Sequence, residues 1–242
     1  MPPPLAALAA LARLEGRAVE EHVLYELLRR EQGVAASERP DRSATARILD
    51  FAQAAYGDLV GLLCGRDDEV LETARDGEWT LRDILRHAIA VELRYAAQVE
   101  YSASRSDDDP IPIRPELLPC DRLSPPEPEY ASSRTGGISE LLSLLGKARE
   151  RTDTRLGAIP DAALPRPSVW GTRQVDVRTR VQQIGAHLVQ TTVQIEKTVD
   201  TRGEARAILR RCCAIRGMHE RWSDSRDRSV LDASYRALVS AM

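Results

Sequence analysis

Apolar residues along this chain recur at intervals of three and four rather than two, so its segments read as amphipathic helices and the fold class as all-α. Ile48, Phe51, Ala55, Leu59 and Leu62 define one stripe, which starts after Ser43 and stops near Gly65, a residue suited to the left-handed turn that closes a helix. Thr80 followed by Asp83 is a capping arrangement, and the helix it opens, 81–102, carries Ile84, His87, Val91 and Tyr95 inward. Trp79 stands just outside that cap, placed to fold back as a staple. A third stripe, Ile138, Leu141, Leu145, Ala148, Thr152 and Leu156, ends before Pro160. A fourth helix is expected over 175–199, with Val177, Val181, Ile184, His187, Thr191 and Ile195 on one face. Ala205, Ile208, Cys212, Ile215, His219 and Trp222 repeat the period, so at least one C-terminal helix covers the bundle.

Between the second and third stripes, residues 105–137 hold seven prolines, each fixing φ and removing a backbone donor, so no long helix crosses them. Short, long and short connections around four helices describe a bundle with one long crossover. An Ala- and Leu-rich helix over 5–31 and a linker over 33–41 precede it. The expected organisation is an N-terminal extension, 1–41, the bundle, 42–200, and C-terminal helices packed on the bundle, 201–242.

Composition narrows the function classes. A formal net charge of -3 gives no global field for nucleic acid, and the arginines of 202–228 are interleaved with Glu204, Glu220, Asp224 and Asp227, which reads as a solvated helix face. Asp107, Asp108 and Asp109 read as a solvated helix end. Four cysteines, Cys64, Cys120, Cys212 and Cys213, lack CxxC spacing, so neither a disulfide framework nor a zinc knot is expected. With no basic leader and no long apolar run, the expectation is a cytoplasmic protein without membrane partners. No Gly-rich phosphate cradle, Gly-x-Ser-x-Gly elbow or His-Glu-x-x-His sequence occurs.

The chemistry-bearing positions are His87 and His187, each on an apolar stripe of a different helix, with Thr191 one turn beyond His187 on the same face. One reading makes them core histidines that hydrogen-bond each other, Thr191 or a backbone carbonyl. His219 reads as a half-buried histidine with its own partner, and Trp79, Trp170 and Trp222 as packing residues.

The run Gly77-Glu78-Trp79-Thr80-Leu81-Arg82-Asp83-Ile84-Leu85-Arg86-His87, followed by Glu92, resembles the first signature of the DinB-like superfamily. The run from His187 through Thr191 to Lys197 is similar to that family's closing helix, where the usual pattern is His-x-x-x-His. The resemblance covers about 43–200. It implies a four-helix bundle holding one divalent metal, zinc or nickel, between helices, with three histidines or two histidines and a carboxylate, and a low-molecular-weight thiol such as mycothiol or bacillithiol as cosubstrate in some relatives. His87 and His187 carry over as ligands, whereas Thr191 stands where the third is expected. A threonine hydroxyl is a poor neutral ligand, so two imidazoles and waters would hold an ion weakly or not at all. Glu92, Glu196, His22 and His219 are alternative donors, although neither glutamate lies well on its helix's inward stripe. Two functional readings follow: a metal-dependent thiol transferase or isomerase acting on a small molecule, or a catalytically inactive bundle that binds a small molecule or a protein partner. A homodimer agrees with either.

Overall fold

The computed structural model describes residues 31, 42–75, 77–109, 111–119, 125, 128–201 and 203–240. Six α-helices run through these residues: α1 (Ala44–Leu63), α2 (Leu81–Ser104), α3 (Ile138–Leu156), α4 (Val177–Glu196), α5 (Glu204–His219) and α6 (Ser225–Ser240). The expected N-terminal helix and linker, with His22, lie outside the described residues except for helical Glu31. Cys120 lies outside them as well.

Helices α1 to α4 form the four-helix bundle. Helix α1 packs against α4 and more lightly against α3, while α2 packs against α3 and α4. The capping chemistry appears where the sequence places it. Ser43 Oγ accepts from the Ala46 amide, Thr80 Oγ1 from the Asp83 amide at 3.1 Å, and Asp176 from the Thr179 amide at 2.7 Å, each satisfying an orphan donor of a first helical turn. Gly65, at φ 74°, supplies the left-handed residue after α1.

Three features differ from the sequence expectation. First, α4 begins at Val177 rather than at 175: residues 173–176 pair antiparallel with 167–170 as a hairpin, β1 (Pro167–Trp170) and β2 (Arg173–Asp176), closed by Gly171-Thr172 with Gly171 at φ 56°. A glycine at the first central position of a two-residue loop matches the twist of the strands it joins. Second, Ala55, Leu59 and Leu62 of the expected α1 stripe are buried but Phe51 is 66% exposed, because α1 is covered on more than one side and also buries Leu49, Ala52, Tyr56, Val60 and Leu63. Third, the arginine-rich segment is in part a docking surface. Arg206 and Arg216 are buried; Arg206 Nη1 donates to the Cys64 carbonyl at 2.6 Å, at the C-terminal end of α1, and Arg210 pairs with Asp58 and Glu196.

Helix α5 lies along α1 at very close range. A Cβ on Gly57 would stand 2.2 Å from the Cys213 carbonyl oxygen, one on Gly61 2.6 Å from the Arg210 Cα, and one on Gly217 2.4 Å from the Gln53 carbonyl oxygen. Glycines on both helices therefore permit backbone-to-backbone contact. Cys64, Cys212 and Cys213 are buried.

Inside the bundle, Arg149 of α3 is buried with Glu92 of α2 at 2.5 Å and Asp153 at 2.7 Å, and its Nε donates to Gln53 Oε1 of α1 at 3.3 Å. Gln53 in turn donates to Glu220 after α5 at 2.6 Å. Behind α5, His219 Nε2 lies 2.5 Å from Glu31, whose carboxylate also accepts from the Tyr235 hydroxyl at 3.1 Å and faces Arg216 at 3.7 Å.

Candidate functional site

The crossover and the hairpin together set the entry of α4. Gln98 on α2 donates to the Pro119 carbonyl, Gln174 on β2 exchanges two hydrogen bonds with the Ile113 backbone, and the Ser102 and Ser168 hydroxyls meet at 2.8 Å. These ties hold the start of α4 against the C-terminal part of α2. The helices then run antiparallel: Gln98 and Tyr95 face Arg180, Tyr95 and His87 face His187, and Trp79 reaches His87.

His87 and His187 come together across this seam, ring centroids 5.3 Å apart and planes inclined by 61°. Trp79, 49% exposed, lies edge-on to His87 at 5.0 Å, and Tyr95 edge-on to His187 at 5.9 Å. Trp79 is thus the outer wall of the site. Neither imidazole hydrogen-bonds the other or any described group, and His87 Nδ1 is buried without a partner. The Thr191 hydroxyl donates instead to the His187 carbonyl at 2.9 Å, a bond within its own helix, and the residue is only 3% exposed.

Burial holds His187 down at about 4, with His87 and Arg94 adding positive charge in the same sense. Burial also lowers His87, again helped by Arg94. Both rings are consequently neutral near pH 7, the form that donates a lone pair to a metal. Two neutral imidazoles in ring contact, one with an orphaned buried nitrogen, fit a divalent ion in donor type. In number they fall short: among the described residues no group of three or more His, Cys, Asp or Glu could hold a metal ion.

The alternative donors are spent elsewhere. Glu92 is 2% exposed and locked to Arg149, on a different face of α2 from His87. Glu196 pairs with Arg210 at 2.6 Å. His219 is wholly buried rather than half-buried, and serves Glu31 and, at 3.3 Å, Ser223.

Sequence reasoning passed over the cations of the seam. Arg180, 1% exposed, lies over the Tyr95 ring at 4.7 Å, donates to Gln183 Oε1 at 2.5 Å and to Gln98 Oε1, and keeps a buried Nε without a partner. Half-buried Arg94 lies 5.8 Å from the same ring and is close enough to both histidines to lower them. The signal was present in the spacing: Arg94 stands seven residues after His87 and Arg180 seven before His187, two turns along the same faces.

Comparison with known proteins gives three findings. No curated protein matches the chain in sequence. Among solved structures, YfiT from Bacillus subtilis, described as "a probable metal-dependent hydrolase with an unusual four-helix bundle topology", is similar at a TM-score of 0.45 and 17% identity, over 67% of this chain and 89% of that one. The sequence profile of the DinB superfamily matches residues 48–195, which takes in α1 to α4, the hairpin and both histidines, and more than half of the chain. The chain belongs to the DinB superfamily.

Proposed function

We propose that this protein is a metal-dependent enzyme of the DinB superfamily in which His87 and His187 hold a divalent ion, zinc or nickel, for a transferase or isomerase reaction on a small molecule, with a low-molecular-weight thiol as cosubstrate. The observation that carries the reading is the pair of facing imidazoles that make no hydrogen bond. Buried polar side chains are nearly always satisfied, and an exception calls for a partner of another kind. A histidine pair retained only for packing would be expected to use Thr191 or each other, and it uses neither.

An ion on these donors would supply Lewis acidity toward a thiol or water, with coordination positions left open. The chain's own contribution is to keep both imidazoles neutral by burial, to cover His87 with Trp79, and to orient His187 by pinning its backbone carbonyl with Thr191.

The test is metal analysis of protein purified without an affinity tag, followed by titration of the chelator-stripped protein with zinc and with nickel. Binding near one equivalent, lost in His87→Ala and in His187→Ala, is expected. A folded protein that takes up neither metal overturns the reading in favour of an inactive bundle, and its melting temperature would then be indifferent to chelator.

A further inference from the structure

Among the described residues, the charged side chain that acts on both histidines is a cation, Arg94. Arg180 is buried, its two terminal nitrogens rest on neutral glutamine oxygens, and its Nε has no partner. Arg94 and Arg180 both act on Tyr95 from short range, and Arg94 reaches both imidazoles. Among the described residues no carboxylate pairs with either arginine, and the nearby acid Glu92 is engaged by Arg149 on another face of its helix. Burying a guanidinium without a counter-charge is costly, and a chain keeps one where something else brings the charge. Glutamine amides fix the position of Arg180 without neutralising it.

We propose that the α2–α4 seam binds a small carboxylate-bearing ligand beside the histidines, its charge met by Arg94 and Arg180. The inference rests on the reading above in placing the reactive centre at this seam, and it adds the class of molecule that enters it. Arginine suits a carboxylate because its planar fork presents several donors to two oxygens. Arg94, the more exposed of the two, receives the carboxylate first, and Arg180 fixes its inner end.

The experiment titrates the full chain, metal-free and zinc-loaded, with malonate and separately with inorganic phosphate at constant ionic strength, by calorimetry. Saturable malonate binding is expected, weakened at least about tenfold by Arg94→Met and by Arg180→Met, and unchanged by Arg178→Met on the exposed side of α4. Because Arg180 is buried, each variant is also checked by circular dichroism, and half-buried Arg94 keeps the test decisive if Arg180→Met fails to fold. Absent malonate binding, or binding that neither arginine variant weakens, overturns the inference; so does phosphate binding tighter than malonate. Zinc uptake in the same samples separates the two claims: zinc without malonate sinks this one alone, and arginine-dependent malonate binding without zinc sinks the metal reading alone.

Discussion

Two regions of the bundle bury cations, and they treat them in opposite ways. In the core, Arg149 is matched by Glu92 and Asp153, and behind α5 Arg216 is matched by Glu31 and Asp232. At the α2–α4 seam, Arg180 and two imidazoles meet no acid at all among the described residues. The first arrangement is closed in charge: each arginine meets carboxylates, although Arg216 Nε and Nη1 make no hydrogen bond among the described residues. The second is open, and unmatched polarity inside a folded chain is where external chemistry finds a place.

The contrast is sharpest in stability. Glu92→Ala strands Arg149 with one acid fewer in the core and should destabilise by about 3–5 kcal/mol in chemical denaturation. Arg180→Met removes a cation that has no acid and should change stability by only about 1 kcal/mol or less in either direction. Equal losses in the two variants would erase the distinction. Next in size, Gly57→Ala drives a methyl into the Cys213 carbonyl and should cost about 1–3 kcal/mol, measured in the same way, with metal uptake per folded molecule unaltered.

A smaller effect follows from pH. His187 is held near 4 and His87 is also lowered, against an ordinary 6.5, so the unfolded chain takes up protons that the folded seam resists. The stability conferred by neutral rings is therefore complete above pH 6.5 and lost as pH falls toward 4, by roughly 1–2 kcal/mol allowing for partial solvent access. Among the described residues His87 and Arg94 act on His187, Tyr95 lies edge-on to it, and Arg180 sits over the Tyr95 ring. Denaturation of metal-free protein across this window should show the loss, and the His87→Gln, His187→Gln double variant should flatten it. Least in free energy, Thr191→His adds a third imidazole one turn from His187 and should tighten zinc binding by at least about tenfold, or about 1.4 kcal/mol. No gain in zinc affinity would place position 191 outside reach of the pair.

Much of this organisation was legible in the residues. The Thr80 cap, the proline-rich crossover and the inward positions of His87 and His187 follow from spacing alone, because periodicity and capping are local. Phe51 misled because α1 is covered on several sides, so a single apolar stripe does not define its buried face. The hairpin hid inside a helical period, since Val175 and Val177 fit both patterns, although Gly171-Thr172 carried a turn signal. Arg94 and Arg180 escaped for a different reason. A charged side chain reads as solvated unless its partners are known, and those partners come from another helix.

The glycine-lined approach of α5 to α1 has a practical corollary. The segment recognised as DinB ends at residue 195, yet the backbone that Gly57 and Gly61 admit begins only after 203. Trimming the gene to the recognised segment would leave a groove along α1, floored by bare main chain at Gly57 and Gly61, and such a fragment should aggregate rather than report on the site.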